Sequence, residues 1–228
     1  MSSLLKKHGP RLILELLVII VGILLSVYIT NLFENAKESR KEQIFLKQLQ
    51  QDLQDDLTSL RSDSTIRSEQ YHNVERMTAY VGGFDANIPT SVMAQGIPSL
   101  LSPIRHTPTD ATFRVLESTG TLSLLQDEEL LRSITRLYAN TYADLAIADQ
   151  NIENFRTNFL LPFALEQFNF LESFRNPEFL PEMDLDAIVN LENQMIYASL
   201  SYRSSVNMYE NALKEVRALI EQIESQLK

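Results

Sequence analysis

The residues with the greatest capacity for chemistry in this chain are three histidines and two pairs of adjacent acids. His8, His72 and His106 are far apart, and none belongs to an HExxH pattern, in which two histidines one turn apart bind zinc. We interpret each histidine as a solvated or capping residue. Neighbouring side chains on a helix point in different directions, so neither Asp55-Asp56 nor Glu128-Glu129 is expected to bind one metal ion.

Other patterns typical of catalysis are missing from the sequence. The chain has no glycine-rich phosphate loop and no GxSxG nucleophile elbow. Ser118-Thr119-Gly120-Thr121 is better explained as the end of a helix followed by a turn. The chain has no cysteine, which excludes disulfides, thiolate catalysis and cysteine-based metal sites. We therefore predict no catalytic, cofactor-binding or metal-binding residue, and we expect that the protein is not an enzyme.

The distribution of charge bears on the kind of partner. The 228-residue chain has a formal net charge of −10. Before Glu34 it contains three basic residues and one acid, so the acidic excess lies in the rest of the chain. An acidic domain repels phosphate backbones, which disfavours nucleic acid as a partner.

The element that positions the rest of the chain is an apolar run from Leu12 to Phe33. A transmembrane helix needs about 20 mostly apolar residues, whereas a cleaved signal peptide has an apolar core of about 7–15 residues before a small-x-small site. No such site follows this run. We predict an uncleaved transmembrane helix over 12–33, a basic flank over 1–11 and a helical domain over 34–228.

One side of the predicted transmembrane helix differs from the others. At about 100° per residue, Glu15, Gly22, Ser26 and Thr30 fall on one stripe, and small residues four positions apart let a second helix approach closely in lipid. The stripe indicates a contact with another copy or with a partner subunit. The alternative is that glycine and serine are simply tolerated in membrane spans.

The domain after the run has helical periodicity and no strand periodicity of any length. Long helices are predicted over about 34–81, 127–161 and 184–228, with connections over 82–126 and 162–183. Apolar residues recur at steps of three and four along each, which is typical of coiled coils and bundles. The predicted fold is all-α: the transmembrane helix continues into a long stalk helix, which packs in an antiparallel three- or four-helix bundle.

Phenylalanines are concentrated in the second connection and just before it. If the second long helix returns toward the bilayer, this segment lies at the membrane-facing end of the bundle. It would then be an interfacial anchor or a partner surface, and the alternative is ordinary core packing. The residues proposed for that surface are Phe163, Phe168, Phe170, Phe174 and Phe179.

Two stretches resemble an uncharacterised family of small bacterial single-pass membrane proteins. The first is ILELLVIIVGILLSVYITNLFENAKESRKEQIFLKQLQQDLQDDL, in which Glu15, the segment 21–24 and Asn31 match the family pattern. The second is ATFRVLESTGTLSLLQDEELLRSITRLY, in which a Ser/Thr-Gly turn precedes an apolar pair and an acidic helix start. The resemblance implies a membrane location and a helical domain of unknown function, with no catalytic residue.

Two functions compete on this basis. The first is a non-enzymatic, oligomerising, accessory or scaffold subunit of a bacterial envelope complex, with a second copy or a membrane protein as partner. The alternative is an extracytoplasmic sensory or ligand-binding bundle that signals through a partner. Lys6, Lys7 and Arg11 favour a cytoplasmic N-terminus in the inner membrane, and the basic residues within 37–47 oppose that preference.

Overall fold

The computed structural model describes residues 2–83, 91–176 and 183–227; within these ranges the side chains of residues 2–15, 173 and 174 lie outside the description. The described ranges contain helices and turns but no strand, so the predicted all-α class is confirmed. Helix α1, Ser2–Val81, continues without a break from the apolar run into the bundle. It ends at Gly82-Gly83, where Gly83 has a φ of 65°, a left-handed conformation that suits glycine.

Three long helical elements build the bundle. The first is the part of α1 after the apolar run, and the last is α8, Leu185–Gln226. Between them a middle rod spans 128–167 and consists of three α-helical segments joined by two π-helical turns. The segments are α4, Glu128–Arg136, α5, Tyr142–Phe155, and α6, Leu161–Gln167; the turns are Leu137–Thr141 and Arg156–Leu160.

Shorter helices occupy the connections. Helices α2, Ser91–Leu101, and α3, Ala111–Ser118, lie between α1 and the middle rod, followed by a 3₁₀ turn at Thr121–Leu124. Helix α7, Phe170–Arg175, lies between the rod and α8. Gly120 has a φ of 67° and follows α3, as expected for a glycine that ends a helix.

The chain between α1 and the middle rod returns along α1 toward the apolar segment. The backbone N–H of Thr109 donates to Asp56, and that of Gln126 donates to Glu42, much nearer the apolar segment. The rod therefore starts at the end of the bundle next to the apolar segment, here called the proximal end, and runs parallel to α1. The expected path, in which the second long helix returns toward the bilayer, is wrong, because the first connection already makes that return.

The two π-helical turns change which residues of the middle rod are buried. The sequence predicts steps of three and four throughout, but buried residues are five apart across each turn, at Leu137 to Tyr142 and at Phe155 to Leu160. A π turn holds an extra residue, so it shifts the buried face by about one position. The second π turn lies just before Pro162 and accommodates the ring and the missing N–H of this proline. The helix therefore continues to Gln167, beyond the predicted end at 161.

The core consists of two apolar clusters. The proximal cluster contains α1 leucines, α3, α4 and the C-terminal half of α8; examples are Leu49, Leu53, Ile134 and Ile223. The distal cluster contains the end of α1, α2, α6 and the N-terminal half of α8; examples are Met77, Met93, Phe163 and Met195. Between them lies a layer of buried polar side chains, described below.

Candidate functional site

The described part of the apolar segment of α1 is exposed on all sides. Every residue described between Leu16 and Phe33 is exposed, and by length and composition this is one helix that could cross a membrane. No described residue packs on this segment. A helix that is apolar on all sides and has no partner within the chain needs an apolar surrounding.

The described residues of the predicted contact stripe are exposed, like the rest of this segment. Gly22 has no atom within 4 Å of the position that a Cβ would take, and Ser26 and Thr30 are exposed. The Thr30 hydroxyl donates to the carbonyl oxygen of Ser26 at 2.9 Å, so its hydrogen-bonding capacity is partly used within the helix. The side chain of Glu15 lies outside the described residues. The stripe remains a prediction.

A row of polar side chains on α1 holds the returning connection, and we call this row the polar zipper. Carboxylates at Glu42, Asp52 and Asp56 accept from the backbone N–H groups of Gln126, Thr112 and Thr109 at 2.8, 3.1 and 2.6 Å. Farther along α1, the Gln70 amide donates to the carbonyl oxygens of Ser99 and Ser102 at 2.9 and 3.0 Å. As position along α1 increases, the partner's position decreases, so the zipper fixes an antiparallel register for the connection.

The zipper also caps α3. Asp110 at the N-cap of α3 makes no capping hydrogen bond. Its carboxylate instead binds Arg114 of the same helix at 2.6 Å. Asp52 of α1 takes the free N–H of Thr112, so the first turn of α3 is capped from another helix.

Beside Gln70, near the distal end of the zipper, lies the buried ion pair Arg67–Asp149. The Arg67 guanidinium donates to Asp149 at 2.9 Å, to Gln70 at 2.9 Å and to the carbonyl oxygen of Ile104 at 3.1 Å. Asp149 also accepts from the Tyr209 hydroxyl at 2.9 Å and from the backbone N–H of His106 at 3.1 Å. Side-chain exposure is 1% for Arg67 and 2% for Asp149, so both charges depend on these partners for their solvation.

Three tyrosines complete the layer: Tyr142 and Tyr209 donate hydrogen bonds, whereas the buried Tyr202 hydroxyl has no hydrogen-bond partner among the described residues. Burial, reinforced by the negative charge of Asp56, raises the pKa of Tyr142, whose hydroxyl donates to Asp56 at 2.6 Å. Burial and the charge of Asp149 raise the pKa of Tyr209 in the same way. Burial raises the pKa of Tyr202 to about 12, and the Arg67 guanidinium lies 5.4 Å above its ring. These hydroxyls stay protonated at neutral pH and are unsuited to act as bases.

His106 differs from its prediction as a solvated or capping residue. Its ring is buried, and Nδ1 lies 3.2 Å from a carboxylate oxygen of Asp63 on α1. The ring lies against Tyr142, with 5.4 Å between the ring centres. Nε2 has no hydrogen-bond partner among the described residues. His106 therefore fastens the connection to α1 instead of contacting solvent.

The hydrogen bonds and the ion pair of this layer hold the connection and the middle rod against α1. Within the described ranges, no three His, Cys, Asp or Glu side chains are placed to hold a metal ion. A cavity of about 240 Å³ lies beside Asp149, lined also by Ile104, Arg105 and Glu153. The Glu153 carboxylate is bound by Arg156, whose hydrogen bond lowers the pKa of Glu153. Another cavity, of about 360 Å³ and mostly apolar, lies between α1 and the 3₁₀ turn at the proximal end.

The phenylalanine segment lies at the distal end, far from the apolar run. Phe163 and Phe168 are buried in the distal cluster, and Phe170 is partly buried against it. The expected position at the membrane-facing end is therefore wrong: Phe163 and Phe168 belong to the core, and Phe170 is half-buried at its edge. Phe179 and the side chain of Phe174 lie outside the described residues.

Sequence reasoning missed the polar zipper, although the sequence contained a signal for it. Polar residues recur on α1 with the spacing of a buried face and stand beside the leucines of the same helix. In order they are Asp52, Asp56, Asp63, Arg67 and Gln70. Polar residues at core spacing indicate a partner that supplies hydrogen-bonding groups, which here is the backbone of the connection.

Comparison with known proteins gives one kind of relationship. A family model described as "Family of unknown function (DUF6090)" matches residues 15–171. This range begins in the apolar segment and ends in α7, so it includes most of α1, the polar zipper and the middle rod. No curated protein and no solved structure matches the chain.

Proposed function

The chain belongs to the family of unknown function DUF6090, and we propose that it is a membrane-anchored, non-enzymatic helical-bundle protein. In this role it is an oligomerising, accessory or scaffold subunit of a bacterial envelope complex. In this proposal the apolar segment spans the inner membrane once, the N-terminus is cytoplasmic and the bundle is extracytoplasmic. The partner is a second copy or another membrane protein.

The observation that carries the proposal is the side of α1 on which the small residues lie. Gly22 stands 27 positions before the buried Leu49, and Ser26 stands 27 positions before the buried Leu53. At about 3.6 residues per turn, this separation is about seven and a half turns. Because α1 is continuous, the stripe points away from the bundle.

This geometry leaves room for a second transmembrane helix. A helix packed on Gly22 and Ser26 would approach α1 from the side that the bundle leaves open. Small residues there permit close contact between backbones, which drives helix association in lipid.

Disulfide cross-linking in native membranes tests the proposal, since the chain has no cysteine of its own. We expect Ser26→Cys and Gly22→Cys to form a cross-linked dimer, or an adduct with one partner, several times more efficiently than Leu24→Cys. Leu24 is the matched control because it stands 25 positions before Leu49, about seven turns, on the bundle's side. If all three variants yield only monomer and no adduct, the proposal fails.

Membrane insertion and orientation need separate tests. We expect the full chain to resist alkaline carbonate extraction from membranes. A Ser225→Cys variant should react with a membrane-impermeant thiol reagent in intact cells, as the extracytoplasmic bundle requires. Reaction only after the membrane is opened would reverse the orientation without affecting the assembly proposal.

A sensory bundle is the second candidate, favoured by the cavity of about 240 Å³ beside the buried layer. The carboxylate of Asp149 is already bound by Arg67, Tyr209 and His106, so a ligand would be held by Arg105 and Gln150 at the cavity wall. A small carboxylate fits this chemistry. Acetate, succinate and glutamate should then raise the melting temperature of the full chain and not that of Arg105→Gln; no shift with any of them would remove this candidate.

A further inference from the structure

The juxtamembrane part of α1 has a cationic face formed by Lys37, Arg40 and Lys41. Lys37 and Arg40 lie on the side away from the bundle, and Lys41 lies on the flank, where it also lines the proximal cavity of about 360 Å³. Lys37, Arg40 and Lys41 are exposed and make no ion pair with any residue that the structure describes. Lys37 and Arg40 each stand nine positions, about two and a half turns, before the buried leucines Leu46 and Leu49.

Three acids also lie in this segment. The exposed Glu34 and Glu38 stand 15 and 11 positions, about four and three turns, before Leu49, so they lie nearer the bundle's side of α1 than Lys37 and Arg40 do. Glu42 points into the bundle, where it accepts from Gln126.

The height of this face above the apolar segment matches the headgroup layer of a bilayer. At about 1.5 Å per residue, Lys37 and Lys41 lie about 6 and 12 Å beyond Phe33. Side chains of an α-helix tilt toward its N-terminus, which here is the membrane side, and long cationic side chains extend toward headgroups. The polar layer on each side of the hydrocarbon core is about 5–8 Å thick. The three cationic groups can therefore reach lipid phosphates.

The cationic face also stands directly above the small-residue stripe. Ser26 and Lys37 are 11 positions apart, as are Thr30 and Lys41, and 11 positions are close to three turns. Two α1 helices in contact through the stripe would place like charges opposite each other just outside the membrane, which is unfavourable without a counterion. An anion bound between them would remove that repulsion.

We propose that Lys37, Arg40 and Lys41 bind the phosphate groups of anionic phospholipids in the leaflet next to the bundle. The inference rests on the proposed membrane anchoring. The chain as a whole has a net charge of −10, so general attraction of the domain to an anionic surface does not explain such binding. Phospholipids are the occupant because the face lies at headgroup height and matches their charge.

Native mass spectrometry of the full chain tests the proposal. The protein is released from detergent in an equimolar mixture of phosphatidylglycerol and phosphatidylcholine, and the bound lipids are identified by mass. We expect the wild type to retain phosphatidylglycerol at least about five-fold over phosphatidylcholine. The triple variant Lys37→Gln, Arg40→Gln, Lys41→Gln should lose this preference.

A matched variant controls for the change in charge. Lys47→Gln, Arg61→Gln, Arg76→Gln removes three exposed cations from the same helix at positions beyond headgroup reach. We expect it to keep the wild-type preference. Equal retention of both lipids by the wild type, or the same loss in both triple variants, overturns the inference.

The outcome is separable from that of the proposed function. The preference is measured on monomer and dimer peaks separately, and carbonate extraction reports insertion independently. A carbonate-resistant protein without lipid preference refutes lipid binding alone. A protein released by carbonate refutes the anchoring on which both proposals depend.

Discussion

The two halves of α1 are in opposite environments although they form one helix. From Leu16 to Phe33 every residue is exposed and apolar side chains occur on all sides. From Leu46 to Met77 the buried residues follow one side at steps of three, four and seven, and polar residues cover the other side. Both parts form a helix, so helix formation itself does not distinguish them. They differ in the distribution of apolar residues around the helix, and this distribution determines the surroundings that each part needs.

The halves also differ in how they use polar groups. The part of α1 within the bundle carries the polar zipper, whose side chains bind backbone groups and charges from distant parts of the chain. In the described part of the apolar segment, the Thr30 hydroxyl donates to a carbonyl oxygen of its own helix. This contrast can be tested with the full-length protein in detergent micelles.

The buried ion pair gives the largest effect. Asp149→Asn leaves the Arg67 charge buried without a balancing charge, and we expect the free energy of unfolding to fall by about 3–5 kcal/mol. Urea unfolding followed by circular dichroism measures it. Asp144→Asn, exposed on the same helix, is the control and should change little. Equal midpoints for the two variants would show that the layer contributes no net stability.

The next largest effect is expected for a buried leucine of α1, compared with an exposed leucine of the apolar segment. Leu53 is fully buried, so Leu53→Ala should reduce the free energy of unfolding by about 2–5 kcal/mol. Leu24 is 64% exposed, so Leu24→Ala should change bundle stability by less than about 0.5 kcal/mol. The same urea experiment measures both. A similar loss in the two variants would contradict the division of α1 into two environments.

Tyr142 gives a smaller effect with a distinct pH dependence. Tyr142→Phe removes a donor from the buried carboxylate of Asp56, and we expect a loss of about 1–3 kcal/mol at neutral pH. Because the folded-state pKa of Tyr142 is raised, its contribution is present below the ordinary tyrosine pKa of about 10 and is lost as pH rises above that value. The variant should therefore lose stability less steeply than the wild type above about pH 10.

Urea midpoints at pH 8, 10 and 11 measure this dependence. Tyr197→Phe is the control, since Tyr197 is 58% exposed. It should follow the wild type at every pH. Parallel curves for all three proteins would show that Tyr142 does not contribute to alkaline sensitivity.

The smallest effect on stability is expected in the contact stripe. Gly22→Leu fills an open position, so bundle unfolding should change by less than about 0.5 kcal/mol. It should nevertheless reduce Ser26→Cys cross-linking several-fold, because a large side chain keeps a second backbone away. Val21→Leu, on another side of the helix, is the control. Undiminished cross-linking in the Gly22→Leu background would argue against contact through the stripe.

Much of the fold could be predicted from the sequence because its signals are local. Gly83 and Gly120 end helices through their own backbone conformation, and Asp127 and Asp184 cap helices within three residues of themselves. The apolar residues that recur along the last predicted helix at steps of three and four include Tyr209, Val216 and Ile223, and these are buried in α8. Each of these features depends on neighbours along the chain.

The candidate site could be predicted only in part. Gly22, Ser26 and Thr30 are visible in the sequence, and the continuity of α1 fixes their side relative to the bundle. The predictions for His106 and the phenylalanine segment were wrong because burial and the direction of the middle rod depend on how residues 91–126 lie against α1. No local signal in that connection specifies whether it returns along α1.

The all-α class and an apolar segment long enough to span a membrane can be predicted from the sequence alone, because hydrophobic periodicity and helix ends are short-range properties. Three features are visible only in the folded chain: the polar zipper, the five-residue steps across the π turns and the distal position of the phenylalanines. These features join groups that are tens of positions apart, such as Arg67 and Asp149. Their pairing depends on which helix faces are brought together, and side-chain spacing within one helix does not contain that information.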